Sequence, residues 1–90
     1  MTSRRFSNHE QAQAWVNCYD NGTKALISYT TTVIMIDEEG WLKVNGLYSR
    51  TTIKHIGWFM REMGFSYQTA KTLYLNNKEM NIFTGEVRDL

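Results

Sequence analysis

The sequence predicts an α+β fold: an N-terminal helix, a small antiparallel sheet of a hairpin or three strands, and a C-terminal helical hairpin packed on that sheet. Three observations predict it. Apolar residues recur at helical spacing near the N-terminus, β-branched residues crowd the stretch from 25 to 45, and helical spacing returns between 50 and 75 around a glycine. At 90 residues the chain is a single domain, 1–90, with no repeat or linker.

The first helix is expected from about Asn8 to Asp20. Ser7 precedes Glu10 by three residues, the spacing of a capping box, and Ala12, Trp15, Val16 and Tyr19 form one apolar stripe. Asn21-Gly22 supplies a left-handed stop. Strands are then expected near 25–36 and 41–45, because stiff β-branched and aromatic side chains suit a pleated surface. Glu38 and Glu39 fit a type I turn with Gly40 left-handed after it, and Asn45-Gly46 offers a second turn that returns "LYSR" as a short third strand.

From residue 50 the spacing becomes helical again. Ile53, Ile56, Met60 and Met63 share one face, Ser49, Thr51 or Thr52 can cap the start, and Gly64 with Phe65 closes the end. Ser66 then caps a helix from about Tyr67 to Leu75, and "EMNIFT" reads as an edge strand before a frayed terminus.

Composition excludes several classes. The net charge of +1 makes the chain neither a polyanion imitating DNA nor a general basic coat. Charge is local instead: from Arg50 to Lys78 five cations face Glu62 alone, a net of +4. The lone Cys18 excludes an internal disulfide, and no apolar run approaches the roughly 20 residues that span a bilayer. A protein of a reducing cytoplasm, without membrane contact, is expected.

No residue pattern assembles an active site, so the chain reads as a non-enzyme. His55 and Cys18 are a base and a nucleophile on separate elements, and no paired spacing joins them. Two histidines and one cysteine give no metal site, the scattered glycines give no phosphate loop, and the "DEEG" acids lack the alternating ligands of a calcium loop; no cofactor or metal is expected.

The stretch from Ile56 to Leu73 fits a helix-turn-helix, with Phe59, Met63, Phe65, Ala70 and Leu73 at buried positions and Gly64 at the turn. On that reading Ser66, Tyr67, Gln68, Thr69 and Lys71 face a DNA groove. Met60 departs from it, since the helix crossing usually takes a small residue, and Lys71 is the single cation on the reading helix.

"YTTTV" at 29–33 and "LYSRTTIKH" at 47–55 resemble a widespread group of small bacteriophage proteins, mostly uncharacterised. In that group a Tyr-x-Thr-x-Val strand precedes a Tyr-Ser-x-Thr-Thr-x-Lys-His segment. The likeness rests on Tyr29, Thr30 or Thr31, Val33, Tyr48, Ser49, Thr51, Thr52, Lys54 and His55 and covers about residues 27–56. It implies a phage origin, and the profile is similar to inhibitors of CRISPR nucleases in size and in the lack of enzyme motifs.

The expectation is therefore a binding inhibitor of a bacterial defence complex, a protein or ribonucleoprotein such as a CRISPR effector, acting in the cytoplasm of the infected host. Tyr48, Arg50, Lys54, His55, Trp58 and Arg61 are the expected contact residues, because exposed aromatics flanked by cations make good anchors. A homodimer is also open to such a surface. A DNA-binding regulator of phage transcription is the alternative.

Overall fold

The computed structural model describes all 90 residues. Seven strands form one antiparallel sheet in chain order: β1 (Thr2–Arg4), β2 (Ala14–Cys18), β3 (Lys24–Ser28), β4 (Thr31–Ile36), β5 (Trp41–Val44), β6 (Lys78–Asn81) and β7 (Val87–Asp89). Two helices, α1 (Arg50–Glu62) and α2 (Tyr67–Leu75), are inserted between β5 and β6 and cover one face.

This corrects the expected fold. No N-terminal helix exists. Residues 6–13 turn on themselves through His9 N–H to the Phe6 carbonyl and Ala12 N–H to the His9 carbonyl, and β2 follows. The apolar stripe misled because Ala14 and Val16 are fully buried on the helix-covered face while Trp15 between them points the other way. The period is two. Asn21-Gly22 makes a hairpin turn instead of a helix stop: Tyr19 N–H reaches the Thr23 carbonyl, and Gly22 has a φ of +91°.

The sheet is also larger than the hairpin or three strands expected, and it departs from that expectation at three further places. The run 25–36 is two strands, broken at Tyr29-Thr30, where Tyr29 takes a left-handed φ of 56° without being glycine or asparagine. Residues 47–49 form no third strand; Asn45 instead bonds back to the Val33 and Thr32 carbonyls, and the chain enters α1. After the helices the chain returns to the sheet twice, so the helical hairpin is not C-terminal and β6 is not an edge.

Ile34 and Ile36 of β4, Leu42 and Val44 of β5, Met80 of β6 and Leu26 of β3 meet Ile56, Phe59 and Met60 of α1 and Ala70 and Leu73 of α2 in one core. A bulge between Leu26 and Ile27 sends Val33 into the same core. Ser49 caps α1 by accepting from Thr52 N–H. Its far end closes through Phe65 N–H to the Met60 carbonyl and Gly64 N–H to the Arg61 carbonyl, with Gly64 at a φ of +88°.

The face without helices is shielded by cations. The Arg88 guanidinium lies 3.6 Å from the centre of Trp41 and also bonds Glu79, and Arg5 lies 4.7 Å from Trp15. Trp41 is thereby buried. No helix is long and apolar enough to cross a membrane.

Candidate functional site

The two halves of the sequence motif meet in space. The β3–β4 turn carries Ser28 and Tyr29 to the first two turns of α1, where Ser28 Oγ lies 2.7 Å from His55 Nδ1 and 3.2 Å from Thr52 Oγ1. Thr52 Oγ1 in turn lies 3.2 Å from Ser49 Oγ. A chain of hydroxyls thus runs from the helix cap to the imidazole. Ser28, Thr52 and His55 are all buried, and the chain satisfies polar groups that would otherwise oppose burial.

Ser28 and His55 sit as a nucleophile and base would, but Ser28 is 2% exposed and no carboxylate orients the ring. The arrangement holds α1 onto the hairpin. Cys18 is not drawn in: Ala14, not Cys18, pairs with Ser28, and Cys18 lies four residues farther along β2, about 13 Å away at strand rise.

His55 Nε2 makes no protein hydrogen bond, and no side-chain polar atom is both buried and unpaired, so this nitrogen reaches water. Burial, with the Lys54 charge adding to it, holds the imidazole below its usual pKa of 6.5. The unfolded chain therefore takes up this proton at a higher pH than the fold does. Its contribution to stability is full above 6.5 and falls as pH drops toward the lower folded value. The melting temperature should fall between about pH 7.5 and about pH 5.5, and His55→Gln, which keeps an acceptor for Ser28, should flatten that slope. An unchanged slope in the variant would remove His55 as its origin.

Outside this network α1 presents a continuous stripe. Arg50, Lys54, Trp58 and Arg61 fall within roughly 80° of arc and about 16 Å of axis at helical geometry. The three cations are exposed and form no salt bridge; the acid beside them, Glu62, is held by Arg4 through contacts of 2.7 and 3.2 Å. Trp58 is half-buried, and His9 stacks on it at 3.8 Å between ring centres and 9° between planes. The expected helix from Asn8 would have held His9 in its first turn; the loop that replaces that helix brings it here. Phe6, Ser7, His9, Trp58, Arg61 and Glu62 line a shallow depression of about 280 Å³ at this end.

At the other end stand two exposed tyrosines. Tyr48 and Tyr29 both hold left-handed φ values, 46° and 56°, which bulky residues rarely adopt, and Tyr29 lies 6.0 Å from the His55 ring. The Tyr48 ring lies over Gly46, where an added Cβ would come within 2.7 Å of it. Of the six expected contact residues, then, Arg50, Lys54, Trp58 and Arg61 reach the surface along α1 and Tyr48 just before it, while His55 is a buried support.

The residues of the DNA-reading alternative are not gathered in the same way. Tyr67 packs against the core, Lys71 is half-buried, and Ser66, Gln68 and Thr69 line a groove with Leu73, Met80 and Val87. Sequence reasoning missed the Ser28–His55 pair, the Tyr29 turn and the His9–Trp58 stack. The pair and the stack depend on contacts distant in sequence and the turn on the strands that flank it; the spacing of 50, 54, 58 and 61 was readable locally.

Residues 4–76, from β1 to the end of α2, match the model of a family described as being of unknown function, DUF8033. No curated protein and no solved structure matches the chain.

Proposed function

Because the chain belongs to DUF8033, a family of unknown function, we propose its role from its own surface: a non-enzymatic binding protein that docks through α1 onto an acidic face of a macromolecular partner. The observation that carries this is the stripe Arg50, Lys54, Trp58 and Arg61, three cations without an internal acid beside a tryptophan. Unpaired cations in a row raise the potential along one face of a nearly neutral molecule, which steers an acidic partner onto it. The resemblance of residues 27–56 to small phage proteins favours a bacterial defence complex such as a CRISPR effector as that partner, in the host cytoplasm.

The DNA-binding reading has less behind it. The helix that would enter the groove carries Lys71 as its one cation, and phosphate neutralisation needs several.

The test is capture from bacterial lysate by the tagged protein, with mass spectrometry, beside a variant carrying Arg50→Glu, Lys54→Glu and Arg61→Glu. A defence nuclease retained by the wild type and lost by the variant supports the reading. Retention of DNA alone favours α2 as the binding element, and a partner held equally by both proteins places the surface elsewhere.

A further inference from the structure

Three of the five arginines are engaged inside the protein. Arg4 is held by Glu62, Arg5 by the Trp15 ring and the Glu10 and Ala12 carbonyls, and Arg88 by the Trp41 ring and Glu79. Arg50 and Arg61, with Lys54 between them on α1, make no ion pair at all. Their charge is free for a partner.

A row of rings lies beside these cations, and Trp58 belongs to both. Tyr29 is 6.0 Å from His55, His55 is 5.2 Å from Trp58, and Trp58 is 3.8 Å from His9, centre to centre. Both ends of the row, Tyr29 and His9, are exposed, and Tyr48 stands just before the helix at 62% exposure. The backbone does not ask for tyrosine at either position. Both tyrosines hold left-handed φ values that glycine or asparagine would adopt more easily, so what tyrosine adds there is an open ring at a fixed place.

The chemistry of this face discriminates between partners. A protein interface has an apolar centre, whereas the exposed aliphatic side chains here, Met1, Leu75, Val87 and Leu90, all lie on other elements. Open rings beside free cations suit a chain of phosphates whose bases are unstacked, because bases lie on rings and phosphates meet cations. A duplex offers no free base faces, since its bases already stack on one another.

We propose that the partner of the α1 docking surface, on which this inference rests, is a single strand of nucleic acid. Its bases stack on Tyr29 and Tyr48, and its phosphates lie at Arg50, Lys54 and Arg61. The stacked His9 and Trp58 receive a further base at the far end of the helix.

The probes are fluorescein-labelled dodecamers, one oligouridylate and one oligothymidylate, followed by anisotropy; the 2′-hydroxyl that separates them tells an RNA source from a DNA one. Three phosphate contacts should give log K a slope of about −2 against log salt, and Lys54→Gln should make it shallower by about 0.7. Tyr29→Asn should weaken binding roughly tenfold while the melting temperature holds or rises, and Tyr29→Phe, which keeps the ring, should bind as the wild type does. No saturable binding of either probe, tighter binding of a duplex, or full binding by Tyr29→Asn would each overturn the proposal. So would self-association abolished by Arg50→Glu with Lys54→Glu, which puts a second copy on this face. If nuclease-treated lysate yields a protein that the charge-reversed variant loses, and neither probe binds, the single strand is removed and the docking surface stands; if both fail, the surface falls too.

Discussion

Phe59→Ala should lower the free energy of unfolding by about 4 kcal/mol, measured in urea. The ring is 2% exposed and sits where α1 meets α2 and the sheet, among Ile56, Met60, Ala70 and Leu73. Neighbours on three elements prevent collapse into the space, so the lost transfer energy and the cavity add. In a domain of this size total stability is of order 5–10 kcal/mol, so the variant sits close to its unfolding threshold. Phe65, half-buried beyond the turn, should cost less, about 2 kcal/mol. A Phe59 loss under about 1 kcal/mol, or the reverse order of the two, would mean that α1 is not seated as described.

Trp58→Ala should weaken partner binding by about 2 kcal/mol, roughly thirtyfold, while stability changes far less than for Phe59. The ring is half-buried under His9 at the edge of the core, beside Phe6 and His55, so truncation strips the stripe of its anchor and removes only peripheral packing. The cations should separate from it kinetically. Reversing Arg50, Lys54 and Arg61 should slow association and invert its salt dependence, whereas losing Trp58 should speed dissociation. Surface plasmon resonance at two ionic strengths distinguishes these effects. If charge reversal changed only dissociation, the stripe would be a packed contact and not a steering surface.

How far the sequence could be read depends on the range of the forces involved. The helical stretches around Ile56 and Ala70 were legible because their periodicity, their Ser49 and Ser66 starts and the Gly64 stop are local signals. The Gly40 hairpin was legible for the same reason. The N-terminal stretch was not: Ala12, Trp15, Val16 and Tyr19 satisfy a helical stripe on paper, and only pairing with β1 and β3 decides that Trp15 and Val16 face opposite ways. Tyr29 concealed a turn because its left-handed backbone is imposed by the flanking strands and not by its own preference. Missing both the first strands and that turn made the sheet look far smaller than it is.

For the candidate surface, the spacing of Arg50, Lys54, Trp58 and Arg61 was local and readable. The burial of His55 was not, since its Ser28 partner lies 27 residues away in sequence.

The chain-order arrangement of the strands bears on how quickly the protein becomes active. Every sheet pairing joins consecutive strands, and all but one of these pairs are linked by nine residues or fewer, so most of the architecture can assemble hairpin by hairpin with little loop-closure entropy to overcome. The exception is β5 with β6, whose closure must wait for α1 and α2 to settle between them. With no proline in the chain, no slow peptide isomerisation delays that step. The first five strands can pair while the ribosome is still adding the helices, and the segment bearing the cation stripe is ordered after them, before β6 closes the sheet beside it.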